Sequence, residues 1–131
     1  MTIANWCVLA ACVLPVVTMG MAKASVGMKS RKNAAGYDNS NPRAWATHLT
    51  GWQARANAAQ SNGFEALPLF IAAVVLAQQA HADQSRIDTL AMAFIGIRLV
   101  YIAMYLMDLA TLRSLVWGAG FAVCIGILSL A

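Results

Sequence analysis

Charge is what this chain lacks most. Five acidic and nine basic side chains make up only 11% of its 131 residues, against roughly a quarter in soluble domains, and the mean hydropathy is +0.64. That excludes a water-soluble globule. Cysteine is scarce too: Cys7, Cys12 and Cys124 lie inside apolar runs at spacings that suit neither a disulfide framework nor a metal centre, so they read as small buried hydrophobes. His48 has no carboxylate or cysteine companion at ligand spacing, and His81 opens a short polar stretch with Asp83 and Asp88. No metal site is expected. No internal repeat or low-complexity tract is present.

What the chain does have is long apolar runs. Trp6 to Ala22 and Ser114 to Ala131 are free of charge, Gly63 to Ala80 is interrupted by Glu65 alone, and Thr89 to Met107 by Arg98 alone. Each has about the 17 to 25 residues that a bilayer-spanning helix needs. The pattern predicts an all-α integral membrane four-helix bundle, a single domain over 1–131, with spans at about 5–27, 58–80, 88–107 and 112–131 and a basic cytoplasmic loop at about 28–57. Gly118, Gly120 and Gly126 in the fourth span suit close helix packing.

The first run is expected to be retained. A cleaved signal carries its positive charges ahead of the apolar stretch, whereas here Lys23, Lys29, Arg31 and Lys32 follow it. Those charges also orient the bundle. The first connection carries Lys23, Lys29, Arg31, Lys32, Arg43 and Arg55, the third carries Arg113, and the second only Arg86. The positive-inside rule then places the first and third connections in the cytoplasm and both termini outside. Although the net charge is +4, no nucleic-acid partner is expected, because clustered basic residues beside a span are accounted for by topology and anionic headgroups.

Within the first connection, Lys29 to Ser40 reads as turn and loop. Asn41-Pro42 is a helix start, with proline at the first helical position. From there the pattern predicts a helix running unbroken into the second span, with Trp45 and Trp52 on one face at headgroup level and a bend at Pro68.

Glu65 and Arg98 ask for a reason, since an ionisable group at bilayer depth costs roughly 2.5–3.5 kcal/mol on insertion scales. Arg55, Asn62 and Glu65 fall within about 80° of one another at 100° per residue, hence on one helix face. Arg98, Tyr101 and Tyr105 form a second stripe at i, i+3 and i+7. Both stripes line the cytoplasmic half of the bundle, where a carboxylate, an amide, a guanidinium and two phenols suit a small zwitterionic ligand. The same spacing equally allows Glu65 and Arg98 simply to neutralise each other between packed helices.

The string Arg55-Ala-Asn-Ala-Ala-Gln-Ser-Asn62-Gly-Phe-Glu65-Ala-Leu-Pro68-Leu-Phe70 resembles the signature of the membrane-associated proteins in eicosanoid and glutathione metabolism (MAPEG). A second block, Arg98-x-x-Tyr101-x-x-x-Tyr105 followed by Arg113-Ser114, is similar to the arginine and tyrosine pattern of that family's third helix and the arginine beyond it. The resemblance, to a bacterial-type member, implies four-helix subunits assembled as a homotrimer in the bacterial inner membrane. It implies glutathione as co-substrate between subunits near the cytoplasmic face, held by Arg55, Asn62, Glu65, Arg98, Tyr101 and Tyr105. It further implies a lipophilic small molecule as acceptor on the lipid side, with Arg113 and Ser114 as the catalytic pair at the sulfur.

One position departs from the pattern. Ala58 stands where glutathione-using synthases of the family commonly carry a second arginine. Three readings stay open: a glutathione-dependent transferase or peroxidase acting on lipophilic electrophiles, a non-catalytic member that binds membrane lipid or a partner protein, and a small exporter of lipophilic cations. The exporter fits poorly, because such proteins carry their essential glutamate in the first span, where this chain has no acidic residue.

Overall fold

The computed structural model describes residues 1–131. Five helices follow in order: α1 (Ile3–Val26), α2 (Pro42–Thr47), α3 (Gly51–Gln79), α4 (Gln84–Leu106) and α5 (Ala110–Leu128). All but α2 are long and apolar enough to cross a membrane, and there is no strand, only two isolated bridges in the first connection.

The helix ends are set by local chemistry. The Thr2 hydroxyl accepts from the Asn5 amide at 3.2 Å to begin α1, and the Asp83 carboxylate accepts from the Ser85 amide at 3.0 Å to begin α4. At the far ends of α3 and α4 the chain closes with matching backbone bonds, Ala82 N–H to the Ala77 carbonyl and Leu109 N–H to the Met104 carbonyl. That closure puts His81 (φ 56°) and Asp108 (φ 61°) in the left-handed region, where glycine is the usual occupant.

The helix expected to run unbroken from Pro42 into the second span is in fact two helices. α2 stops at Thr47, Thr50 is extended, and α3 restarts at Gly51 with φ 58°. Glycine adopts that angle without a Cβ clash, so the chain turns there. Trp45 and Trp52 therefore sit on different helices, yet both pack against the cluster of Met19, Ala22 and Ala56. Asn41 makes no side-chain capping bond; Pro42 alone marks the start of α2. Pro68 lies within α3, which continues past it.

The first connection is folded back on itself. Lys29 N–H donates to the Tyr37 carbonyl at 3.0 Å and Tyr37 N–H to the Gly27 carbonyl at 2.7 Å. Gly36 permits this, because a Cβ there would lie 2.6 Å from the Met28 backbone. Lys29 pairs with Asp38 at 2.9 Å, and Lys23 lies 4.4 Å from the Tyr37 ring centroid. The Lys29 hydrogen bond, helped by the Ser40 amide, holds the Asp38 carboxyl below its ordinary value. Its contribution to loop order is thus present above the unfolded-chain carboxyl range and lost as pH falls through the lowered value.

The core is built from small residues. Ala4, Cys7 and Ala11 of α1 meet Phe70, Ala73, Val74 and Ala77 of α3, Ile87, Ala91 and Phe94 of α4, and Cys124 and Ile127 of α5. Small side chains let backbones approach where no hydrophobic drive separates helix from lipid, and Phe70 stacks on Phe94 at 4.0 Å. Cys7 and Cys124 are buried as expected, Cys12 only partly. Among the glycines, Gly120 does serve close packing, since a Cβ there would lie 3.3 Å from Ile97 Cγ2, whereas Gly118 has nothing within 4 Å. The tightest approach between spans is elsewhere: a Cβ at Gly63 would meet Pro15 Cγ at 2.6 Å.

Asp88 lies inside α4 and helps to join three helices. Its carboxylate accepts from the Ala4 amide at 2.8 Å and from Gln84 at 2.7 Å, capping the first turn of α1 from a neighbouring helix, while Gln78 of α3 donates to Thr2 at 3.0 Å. This fixes one end of the bundle. Trp6, Leu9, Val13, Val16 and Val17 of α1, with Leu112 and Leu115 of α5, are exposed, an apolar exterior suited to lipid.

Candidate functional site

Arg98 is the anchor. It sits on the buried face of α4 at 6% exposure, where an unpaired cation would be costly. Its Nη1 donates to Asn62 Oδ1 of α3 at 3.0 Å, and its guanidinium lies 4.3 Å from the Tyr101 ring centroid. Nη2 meets no acceptor within the subunit.

Glu65 and Arg98 do not pair. The two ion pairs in the structure are Lys29–Asp38 and Arg86–Asp83. Asn62 stands between the two groups instead, accepting from Arg98 and offering Nδ2 to Glu65 Oε2 at 3.4 Å, a weak contact. The alternative in which Glu65 and Arg98 neutralise each other directly is therefore not the arrangement adopted. The reason is geometric: an amide one helical turn from Glu65 presents both an acceptor and a donor, so it takes the guanidinium itself and leaves Glu65 exposed.

The second stripe is a stack. Tyr101 meets Tyr105 edge to face at 5.6 Å, and the Arg113 guanidinium lies 4.3 Å from the Tyr105 ring centroid. Cations over phenol faces are favoured by the ring quadrupole, so Arg98, Tyr101, Tyr105 and Arg113 form a continuous run from the middle of α4 to the first turn of α5. Arg55 has a different target. Its Nε donates to the Leu106 carbonyl at 3.1 Å, placing a cation at the carbonyl end of α4, where the helix dipole favours it. Ser114 bonds back to the Ala110 carbonyl at 3.1 Å. Ala58 lies half-buried on α3 between Arg55 and Asn62.

Beside Arg98 opens a groove of about 250 Å³ between α3, α4 and α5, lined at its polar end by Asn62, Glu65 and Arg98 and elsewhere by Phe94, Trp117 and Phe121. Trp117 and Phe121 stack at 5.6 Å and are both exposed. Cys124 of α5 also lines the groove, and sequence patterning alone does not place it or these two aromatics in the site. The i, i+4 spacing of Trp117 and Phe121 is the available signal, but it is shared with any lipid-facing stripe.

Over residues 3–131, essentially its whole length, the chain matches the MAPEG family. It belongs to that family. No curated protein and no solved structure matches it. Membership makes this an integral membrane protein of the glutathione and eicosanoid metabolism family, and the four apolar helices agree. Both blocks that carried the resemblance, Arg55 to Phe70 and Arg98 to Ser114, fall in this MAPEG chain on the helices that build the groove and the arginine–tyrosine stack.

Proposed function

We propose that the protein binds glutathione and conjugates it, through its thiol sulfur, to lipophilic electrophiles dissolved in the bilayer. The observation that carries this reading is Glu65: a carboxylate inside a spanning helix, exposed in the subunit, with no cation paired to it and one long contact to Asn62. Such a group calls for a positive partner, and the tripeptide supplies an ammonium. Arg98 and Arg55 supply charges of the sign its carboxylates need, and Asn62 adds an amide. Trp117, Phe121 and Phe94 give an apolar acceptor a place beside the polar end.

Arg113 supplies the chemistry. A thiol has a pKa of about 8.5, and a nearby guanidinium lowers it, raising the fraction of nucleophilic thiolate at neutral pH. Thiolate attack on an electrophilic carbon forms the carbon–sulfur bond, and the displaced electron pair leaves with the departing group or, in an addition, moves onto the acceptor and takes up a proton. Ser114 exchanges its bond to Ala110 for one to the sulfur. With the protein in excess over glutathione, ultraviolet absorbance of the thiolate should appear at pH 7 and vanish in Arg113→Leu. A thiolate signal unchanged in that variant would remove Arg113 from the mechanism.

A homotrimer belongs to this reading, because Glu65 and the Trp117–Phe121 face are open in one subunit and a neighbour would close them. Mass measurement in mild detergent should give three subunits; a stable monomer with ordered helices would sink the intersubunit site. A bacterial inner-membrane orientation with the first connection in the cytoplasm also belongs to this reading. Single cysteines at Ser40 and Asp83 should react with an impermeant reagent from opposite sides, and labelling of Ser40→Cys from outside intact cells would reverse the topology.

A second reading rests on Ala58. Without the family's second arginine, affinity falls, and a non-catalytic member that holds lipid or a partner protein in the same groove becomes the alternative. It would bind no glutathione even after Ala58→Arg.

A further inference from the structure

A small void, partly open at its rim, lies on the side of Arg98 that faces α1. It measures about 10 Å³ and is walled by Ala11, Leu14 and Pro15 of α1, Gly63, Ala66 and Leu67 of α3, and Phe94, Arg98 and Ile102 of α4. A single water needs about 10–15 Å³ together with two to four polar partners. Two polar groups belong to residues of its walls. Arg98 borders the void, is 6% exposed, and carries an Nη2 with no hydrogen-bond partner. The second is the Ala11 carbonyl. In an α-helix it would accept from residue 15, but Pro15 has no N–H to give.

We infer that this void is a binding site for one structural water, which accepts from Arg98 Nη2 and donates to the Ala11 carbonyl, linking α1 to the guanidinium at the centre of the bundle. Prolines persist in membrane helices where ordered water or a neighbour satisfies the carbonyl they free. Three features then share one role. Pro15 exposes the carbonyl, Gly63 lacks the Cβ that would lie 2.6 Å from Pro15 Cγ and so admits the ring, and Nη2 acquires a partner. α1 contributes no ionisable side chain to the site; through the water it contributes a backbone oxygen. With Asn62 on Nη1 at 3.0 Å, Tyr101 against the guanidinium plane and the water on Nη2, the guanidinium is held on three sides. The water site is independent of glutathione, because every group that forms it belongs to the resting subunit.

Solid-state NMR of the protein in lipid nanodiscs, labelled with ¹⁵N in arginine and ¹³C at alanine carbonyls, tests this by magnetisation transfer from water. Transfer should reach both Arg98 Nη2 and the Ala11 carbonyl, and both signals should fall to background in Ala66→Val, whose added methyls fill the void. No transfer to either atom in the parent, or transfer to Arg98 alone, would overturn the bridge. Transfer to both that survives in a folded Ala66→Val would place the water elsewhere and overturn it as well. If Ala66→Val does not fold, the paired signals of the parent still decide.

Discussion

Arg98→Ala is expected to abolish measurable glutathione binding. The change removes the charge at the base of the groove and leaves Asn62 Oδ1 without the donor that now sits at 3.0 Å. Truncating one member of a buried, hydrogen-bonded charged contact costs about 2–5 kcal/mol, which at 1.4 kcal/mol per decade is a loss of roughly thirtyfold to several thousandfold. Asn62 would also be free to turn away from Glu65, so the carboxylate loses its orientation even though it was never paired to the arginine. Arg98→Lys should fall between parent and alanine, because the ammonium keeps the charge but not the planar fork that meets Asn62 and lies over Tyr101. Titration calorimetry on variants whose helical circular dichroism matches the parent checks this. Binding by Arg98→Ala within about threefold of the parent, less than 1 kcal/mol, would remove Arg98 from the ligand site.

Gly63→Ala should destabilise the bundle, although helix propensity alone predicts the opposite sign. Replacing glycine by alanine inside a helix gains about 0.5–1 kcal/mol. Here the new Cβ would stand 2.6 Å from Pro15 Cγ and 3.1 Å from Pro15 Cβ, and the rigid ring cannot rotate away. Overpacking of that kind costs about 1–3 kcal/mol, so the clash wins, and Gly63→Val should be worse. Pushing α1 from α3 also shifts Asn62, the preceding residue, so weaker glutathione binding should accompany the lower unfolding temperature. Gly96→Ala and Gly118→Ala are internal controls, since neither position has an atom within 4 Å of the added carbon. Both should be neutral or slightly stabilising. Equal behaviour of all three alanine variants would contradict this packing.

The architecture was legible because membrane helices are written in long apolar runs, and the two charges that interrupt them, Glu65 and Arg98, do mark the groove. Shared helix faces were legible as well: Arg98, Tyr101 and Tyr105 line up as 3.6-residue periodicity requires. Partners were not. Periodicity says which way Arg98 points but not that Asn62 would take it in place of Glu65, a choice made by the distance between two helices. Arg55 donates to the Leu106 carbonyl, and a backbone acceptor leaves no trace in the identity of the residue that carries it. The break before α3 had Gly51 as its only signal, and a glycine inside a helical pattern can be tolerated as well as turned. The contact of Pro15 with Gly63 joins residues of two helices whose register the sequence does not display.

Whether the parent protein holds glutathione at all separates the catalytic reading from the non-catalytic one, and titration of the tripeptide into the protein in lipid nanodiscs measures it. Asn62, Glu65 and Arg98 at the polar end of the groove favour binding while Ala58 removes one charge-assisted contact of about 1.5–3 kcal/mol, so saturable binding is expected with Kd in the high micromolar to millimolar range, corresponding to roughly 4–6 kcal/mol. Ala58→Arg should tighten it by about tenfold to a hundredfold. No saturable heat from either the parent or Ala58→Arg would contradict the glutathione reading and leave the non-catalytic one in its place.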